Sequence, residues 1–165
     1  MYFGAYPFLI ERRIKMSCGN NNGKNCYQKS CVRYYNNVSQ VLAATTTVPL
    51  IISGARVVDT GISIDVEPQS YTIVKPGLYH VSMDVDVNLT TDGDIVLQGY
   101  MNGVPLPCTT RNVTGTDGHN LVHSETDLAI GGCCDVSKAI TWTIQSVGVA
   151  VGTIDFNCSG IVKYA

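Results

Sequence analysis

From Tyr79 to Leu89 the chain alternates without a break. Tyr79, Val81, Met83, Val85, Val87 and Leu89 are apolar, and His80, Ser82, Asp84, Asp86 and Asn88 between them are polar. A two-residue period held this long puts one set of side chains on each face of an extended segment, which only a long, half-buried β-strand requires. Pro76-Gly77 before it and Thr90-Thr-Asp-Gly93 after it are turn signals. The rest of the chain has to supply partners for this strand.

It does so with more strands. Val38–Ala44, Val48–Ile52, Ala55–Val58, Ile62–Val66, Tyr71–Val74, Leu78–Leu89, Asp94–Met101, Leu121–Ile130, Ala139–Val147 and Thr153–Tyr164 all read as extended, with turn residues between them. Asn102-Gly103 fits a tight hairpin turn. In the last strand Ile154, Phe156, Cys158, Gly160, Val162 and Tyr164 are expected to share one face. Sixteen glycines, abundant Val, Ile and Thr, and the lack of a helical period agree with an all-β domain. The pattern predicts a ten-stranded antiparallel sandwich or jelly roll over residues 38–165. No apolar run approaches the roughly 20 residues that a membrane-spanning helix needs, so membrane insertion is not expected.

Charge separates the N-terminal stretch from this body. Residues 1–37 hold Arg12, Arg13, Lys15, Lys24, Lys29 and Arg33 against Glu11, a balance of +5, while residues 38–165 hold five basic and twelve acidic side chains, −7. Residues 1–15 are aromatic with their charge behind the apolar residues, the reverse of a secretion signal. Residues 16–37 are rich in Asn, Gly and Cys and read as a short irregular arm. Tyr34 and Tyr35 next to Arg33 add stacking surface. An acidic body argues against nucleic acid and for protein docking by Arg12, Arg13, Lys15, Lys24, Lys29, Arg33, Tyr34 and Tyr35, although polar loops also collect lysine without any contact.

No reaction chemistry is announced. His80, His119 and His123 lack a nucleophile context, and there is no G-x-S-x-G, so no catalytic residues and no enzyme are expected. Cys18, Cys26 and Cys31 have neither zinc spacing nor a fourth ligand. Asp84 and Asp86 share a strand face and could reach a calcium ion, but Asp92-Gly-Asp94 is more simply a turn and the calcium-loop pattern is absent. No metal or cofactor is therefore expected. The cysteine count of seven is odd, which excludes a closed set of intramolecular disulfides.

Four landmarks in order carry a resemblance to the jelly roll of the tumour-necrosis-factor and complement-subcomponent superfamily. They are Pro76-Gly-Leu-Tyr-His-Val-Ser-Met83, Asp94-Ile-Val-Leu-Gln-Gly-Tyr-Met-Asn-Gly-Val-Pro105, the pair Leu121–Ile130 and Ala139–Ile144, and Phe156-Asn-Cys-Ser-Gly-Ile-Val-Lys163. Gly131–Lys138 stands where the superfamily carries a "GD" turn. The resemblance implies a homotrimer with the last strand near its axis, so that Val162 and Tyr164 line the contact, though a core position would account for them equally. It further implies a trimeric knob of the prokaryotic or phage type, a head fibre or capsid decoration on the virion surface. The arm would dock it to a shell protein, with possible contact to a host surface glycan. The alternative is a lectin-like trimer on a spore or cell surface that binds glycans through loops such as Thr109–Asn120.

Overall fold

In the computed structural model of the chain, residues 30–57, 66–67, 69–131 and 138–164 are described. Among them are thirteen strand segments and no helix: β1 Ser30–Asn36, β2 Gln40–Leu42, β3 Thr47–Pro49, β4 Gly54–Val57, β5 Val66–Glu67, β6 Ser70–Ile73, β7 Gly77–Leu89, β8 Gly93–Met101, β9 Val104–Pro105, β10 Arg111–Gly115, β11 Gly118–Ile130, β12 Lys138–Val147 and β13 Gly152–Lys163. All pairings are antiparallel. A six-stranded sheet runs β11-β7-β13-β1-β4 with β2 on β13, and a seven-stranded sheet runs β10-β8-β12-β6-β5 with β3 on β12 and β9 on β8. The long strands β11, β12 and β13 pass from one sheet to the other and back, the connectivity of a jelly roll.

The odd residues of β7 from Tyr79 to Leu89 are all buried, as the alternation requires. Ile95 and Leu97 of β8 and Ile140, Trp142 and Ile144 of β12 meet them from the other sheet. The hairpin turn is present, with Asn102 at φ 50° and Gly103 at φ 77°, both left-handed as a type I′ turn needs. Its Asn102 side chain also accepts the Ala139 amide at 2.8 Å. Gly99 leaves room for the Trp142 indole, because a Cβ there would lie 3.0 Å from the ring.

Two expectations are corrected. The domain begins before Val38: β1 pairs with β13 over seven register positions, Ser30↔Lys163 to Asn36↔Asn157, and with β4 on its other side. Val32 and Tyr34 are fully buried. Ser30–Asn36 is thus a strand of the sheet and not part of an arm. The strand count also differs from ten, because β1, β9 and β10 join and the expected Ile62–Val66 lies mostly outside the described residues.

The second correction concerns β13. The register with β7 shifts between Ile154 and Phe156, so Asp155 is an extra residue in the ladder. A β-bulge changes which side each later residue faces. Ile154 points into the core, but beyond the bulge Asn157, Ser159 and Ile161 take the inner positions. Phe156, Cys158, Gly160, Val162 and Tyr164 then face outward, so they do not share a face with Ile154, and the core account of Val162 and Tyr164 fails.

Tyrosine hydroxyls tie the sheets together where β13 turns polar. The Trp142 indole N–H donates to Tyr71 Oη at 3.2 Å, Tyr71 Oη lies 3.0 Å from Ser159 Oγ, and Ser159 Oγ donates to the Ser82 carbonyl at 2.8 Å. Tyr71 stacks on Tyr34 with ring centroids 5.0 Å apart. Burial pushes the Tyr71 hydroxyl up to about 12, so it stays a neutral donor.

Candidate functional site

The bulge gives the six-stranded sheet an outer surface unlike that of its partner sheet. The outward rows of β8 and β12 pair Thr141 with Tyr100, Thr143 with Gln98, Gln145 with Val96 and Val147 with Asp94, a mixed face. On the six-stranded sheet the outward positions instead combine carboxylates, imidazoles and large apolar groups. The registers set them in rows. Leu121, Asp86 and Phe156 form one row across β11, β7 and β13, and His123, Asp84, Cys158 and Tyr35 form the next, extending to β1. Glu125, Ser82, Gly160 and Arg33 follow, then Asp127, His80, Val162 and Cys31.

All three histidines of the chain stand here. His123 Nδ1 lies 2.7 Å from Asp84 Oδ1, and its Nε2 lies 3.3 Å from Glu125 Oε2. His80 Nδ1 lies 3.0 Å from Asp127 Oδ1, and its Nε2 lies 3.2 Å from the same Glu125 oxygen. His119 Nδ1 approaches both oxygens of Asp86, at 3.0 and 3.2 Å. The hydrogen bond to Asp84 raises the His123 pKa above its ordinary value, with the bond to Glu125 and both negative charges adding to it against a smaller opposing desolvation. At the bulge, Asp155 accepts hydrogen bonds from Thr153 Oγ at 2.7 Å and Ser39 Oγ at 3.0 Å. The Thr153 bond is the main cause of its lowered pKa, and the charge of His119 contributes.

Apolar side chains lie among these groups. Leu121 is 83% exposed and Phe156 41%. With Asp84, Asp86 and His123 they edge a shallow depression of about 270 Å³. At the other end of the face Tyr164 is 37% exposed, and its hydroxyl donates to Asp127 at 3.3 Å. Between the two ends Gly160 stands beside Ser82. A Cβ on Gly160 would stand 2.8 Å from Ser82 Oγ.

The expected docking residues separate. Arg12, Arg13, Lys15, Lys24 and Lys29 lie outside the described residues, as do Cys18, Cys26, Cys133 and Cys134. Arg33 and Tyr35 are exposed on the outer face of β1. Tyr34 is wholly buried against Tyr71 and offers no surface, which corrects its place among the docking residues. Val162 and Tyr164 stand on the outer face. The four aspartates around the end of β7 do not converge: Asp84 and Asp86 face histidines, Asp92 accepts the Asp117 amide at 2.7 Å, and Asp94 accepts the Thr114 hydroxyl at 2.7 Å. No metal-holding group of His, Cys, Asp and Glu occurs among the described residues. Thr109, placed at a glycan-contacting loop, is instead a buried anchor that accepts the Gly99 amide and donates to the Leu106 carbonyl. The histidines were legible as polar-face residues. Their pairing with particular carboxylates was not, because it depends on the register of β11 against β7.

Comparison with known proteins agrees with this architecture. No protein-family model matches the chain, and no curated protein matches it significantly. Among solved structures it is similar to murine APRIL, with TM-score 0.57 and 14% identity over 83% of this chain and 100% of that one. PRD1 vertex protein P5 aligns with TM-score 0.55 and 16% identity over 82% of this chain and 97% of the other. The globular domain of zebrafish complement 1qA aligns with TM-score 0.55 and 10% identity over 84% and 98%. The chain therefore shares its jelly-roll fold with a tumour-necrosis-factor-like ligand, a complement globular domain and a viral vertex protein.

Proposed function

We propose that the chain is a non-enzymatic structural protein of a virion, a homotrimeric jelly-roll knob held on a larger protein shell by its basic N-terminal segment. The observation that carries this reading is the outer face of the six-stranded sheet. It joins exposed Leu121, Phe156, Tyr35 and Tyr164 to rows of histidines paired with carboxylates, whereas the outward rows of β8 and β12 set Tyr100, Val96 and Val147 among threonine, glutamine and Asp94. An exposed surface of that kind is characteristic of an interface. The chemistry among the described residues of this face is ion pairing; the Cys158 thiol lies in the row of Asp84 and His123, but burial raises its pKa and disfavours the thiolate. The likeness to a vertex protein over nearly its whole length supports a place on a capsid.

The shell contact falls to residues 1–29. They hold Arg12, Arg13, Lys15, Lys24 and Lys29 against Glu11, a balance of +4, and they lead into β1 at Ser30. Removing residues 1–29 abolishes co-sedimentation with the particles, while the truncated chain keeps the mass of three copies in light scattering. Particle association that survives the deletion would sink the arm's role. An antibody to the folded body that fails to label intact particles would sink the virion assignment.

A further inference from the structure

The histidine rows give the outer face of the six-stranded sheet a second property. Both ring nitrogens of His80 face carboxylate oxygens, and so do both of His123. A neutral imidazole has one N–H and one lone pair, so it satisfies one of its two carboxylate neighbours and opposes the other; only the imidazolium donates to both. One Glu125 oxygen is shared between the two rings. His119 stands with Asp86 on β7 and within the field of Asp155 on β13.

The charge of the face follows from its described side chains. Asp84 and Asp86 on β7, Glu125 and Asp127 on β11 and Asp155 on β13 oppose Arg33 on β1, while Cys158 and Tyr164 on β13 complete the titratable groups facing the rings. Leaving out Arg56 of β4, the register partner of Arg33, the balance is −4 with neutral histidines and −1 with all three protonated. Covering five carboxylates without balancing cations carries a large desolvation cost, and a paired, nearly neutral face carries far less.

The pattern also indicates what covers it. Arg33 and Glu125 lie in one row but three strand spacings apart, roughly 14 Å, too far to pair within a copy. Among the described residues Arg33 makes no ion pair, so the face carries a cation on its β1 side and an acidic field on its β7 and β11 side, complementary to another copy of itself.

We propose that this face is a proton-responsive contact between copies of the chain, closed when His80, His119 and His123 are protonated and weakened when they are neutral. The inference rests on the trimer reading above and adds its regulation. Within a single copy Asp84 and Glu125 already raise the His123 pKa, which stabilises the fold in full below pH 6.5 and is lost as pH rises through the raised value; contact between copies adds pH dependence through the further protons it takes up.

Sedimentation velocity on the full chain between pH 8 and pH 5.5 tests this. The association constant rises about tenfold per pH unit for each proton taken up on contact. A His80→Gln/His119→Gln/His123→Gln variant, checked for native circular dichroism, loses that slope. Glu125→Gln removes the carboxylate that two histidines share, so it associates more tightly than wild type at pH 8 and shows a shallower slope. Trimers of equal affinity at both pH values overturn the switch and leave the trimer standing. A slope that persists in both variants overturns the assignment to these histidines. A monomer at every pH and concentration overturns the trimer reading itself.

Discussion

Two tyrosines stacked in the same core have opposite accounts. Tyr71 Oη receives the Trp142 indole N–H and bonds Ser159 of the other sheet, so each polar group in that chain has a partner. Tyr34 Oη is buried with no partner among the described residues, and its pKa is raised mainly by burial. Removing a bonded hydroxyl strands the groups it served, whereas removing an unbonded one relieves a desolvation cost. Tyr71→Phe is therefore expected to lose about 1–3 kcal/mol of stability in urea unfolding, and Tyr34→Phe to be neutral or to gain up to about 1 kcal/mol. Equal losses from both would show that Tyr34 Oη has a partner after all.

At the level of elements, the test is where the fold begins. β1 lies between β13 and β4, and it buries Val32 and Tyr34 completely. Each such side chain contributes about 1.5–3 kcal/mol by burial alone, before the ladder bonds to β13 are counted. Deleting residues 1–29 leaves all of this in place; deleting residues 1–36 removes it and exposes the edge of β13. The shorter deletion is expected to keep the cooperative unfolding of the full chain, and the longer one to aggregate or lose its near-ultraviolet signal. The strand was obscured in the sequence by its charge, since Lys29, Arg33 and the tyrosines read as a basic surface. Yet Val32, Tyr34 and Asn36 alternate with Arg33 and Tyr35 as they do in the sheet. β7 was legible because all eleven residues from Tyr79 to Leu89 keep one parity. β13 misled because one inserted residue, Asp155, reverses parity halfway along. Composition cannot reveal that, and only the ladder with β7 fixes it. The site inherits the same limit: the polar parity of His80, Asp84 and Asp86 was visible, but the rows joining them to His123, Glu125 and Phe156 are products of register.

For the molecule as a whole, the two outer faces have different fates. The seven-stranded face mixes Thr141, Thr143, Gln98 and Gln145 with Tyr100, Val96 and Val147, and the six-stranded face joins Leu121, Phe156, Val162 and Tyr164 to its ion pairs. A cyclic trimer covers one such surface per copy and closes without leaving a free one. Gly160 is the place to test this without disturbing the core. It faces outward, and the atom crowding its missing Cβ is the Ser82 hydroxyl, which can rotate away. Gly160→Glu sets new bulk and a further carboxylate in the middle of an already acidic face, so a second copy is repelled, while the inner residues Ser159 and Ile161 keep their places. Light scattering at pH 5.5 is expected to give three copies for wild type, with or without reductant because the contact is ionic and apolar, and one copy for the variant. The variant should still unfold cooperatively. If it remains a trimer, the copies meet elsewhere, and the histidine rows are then a solvent-facing feature of each separate knob.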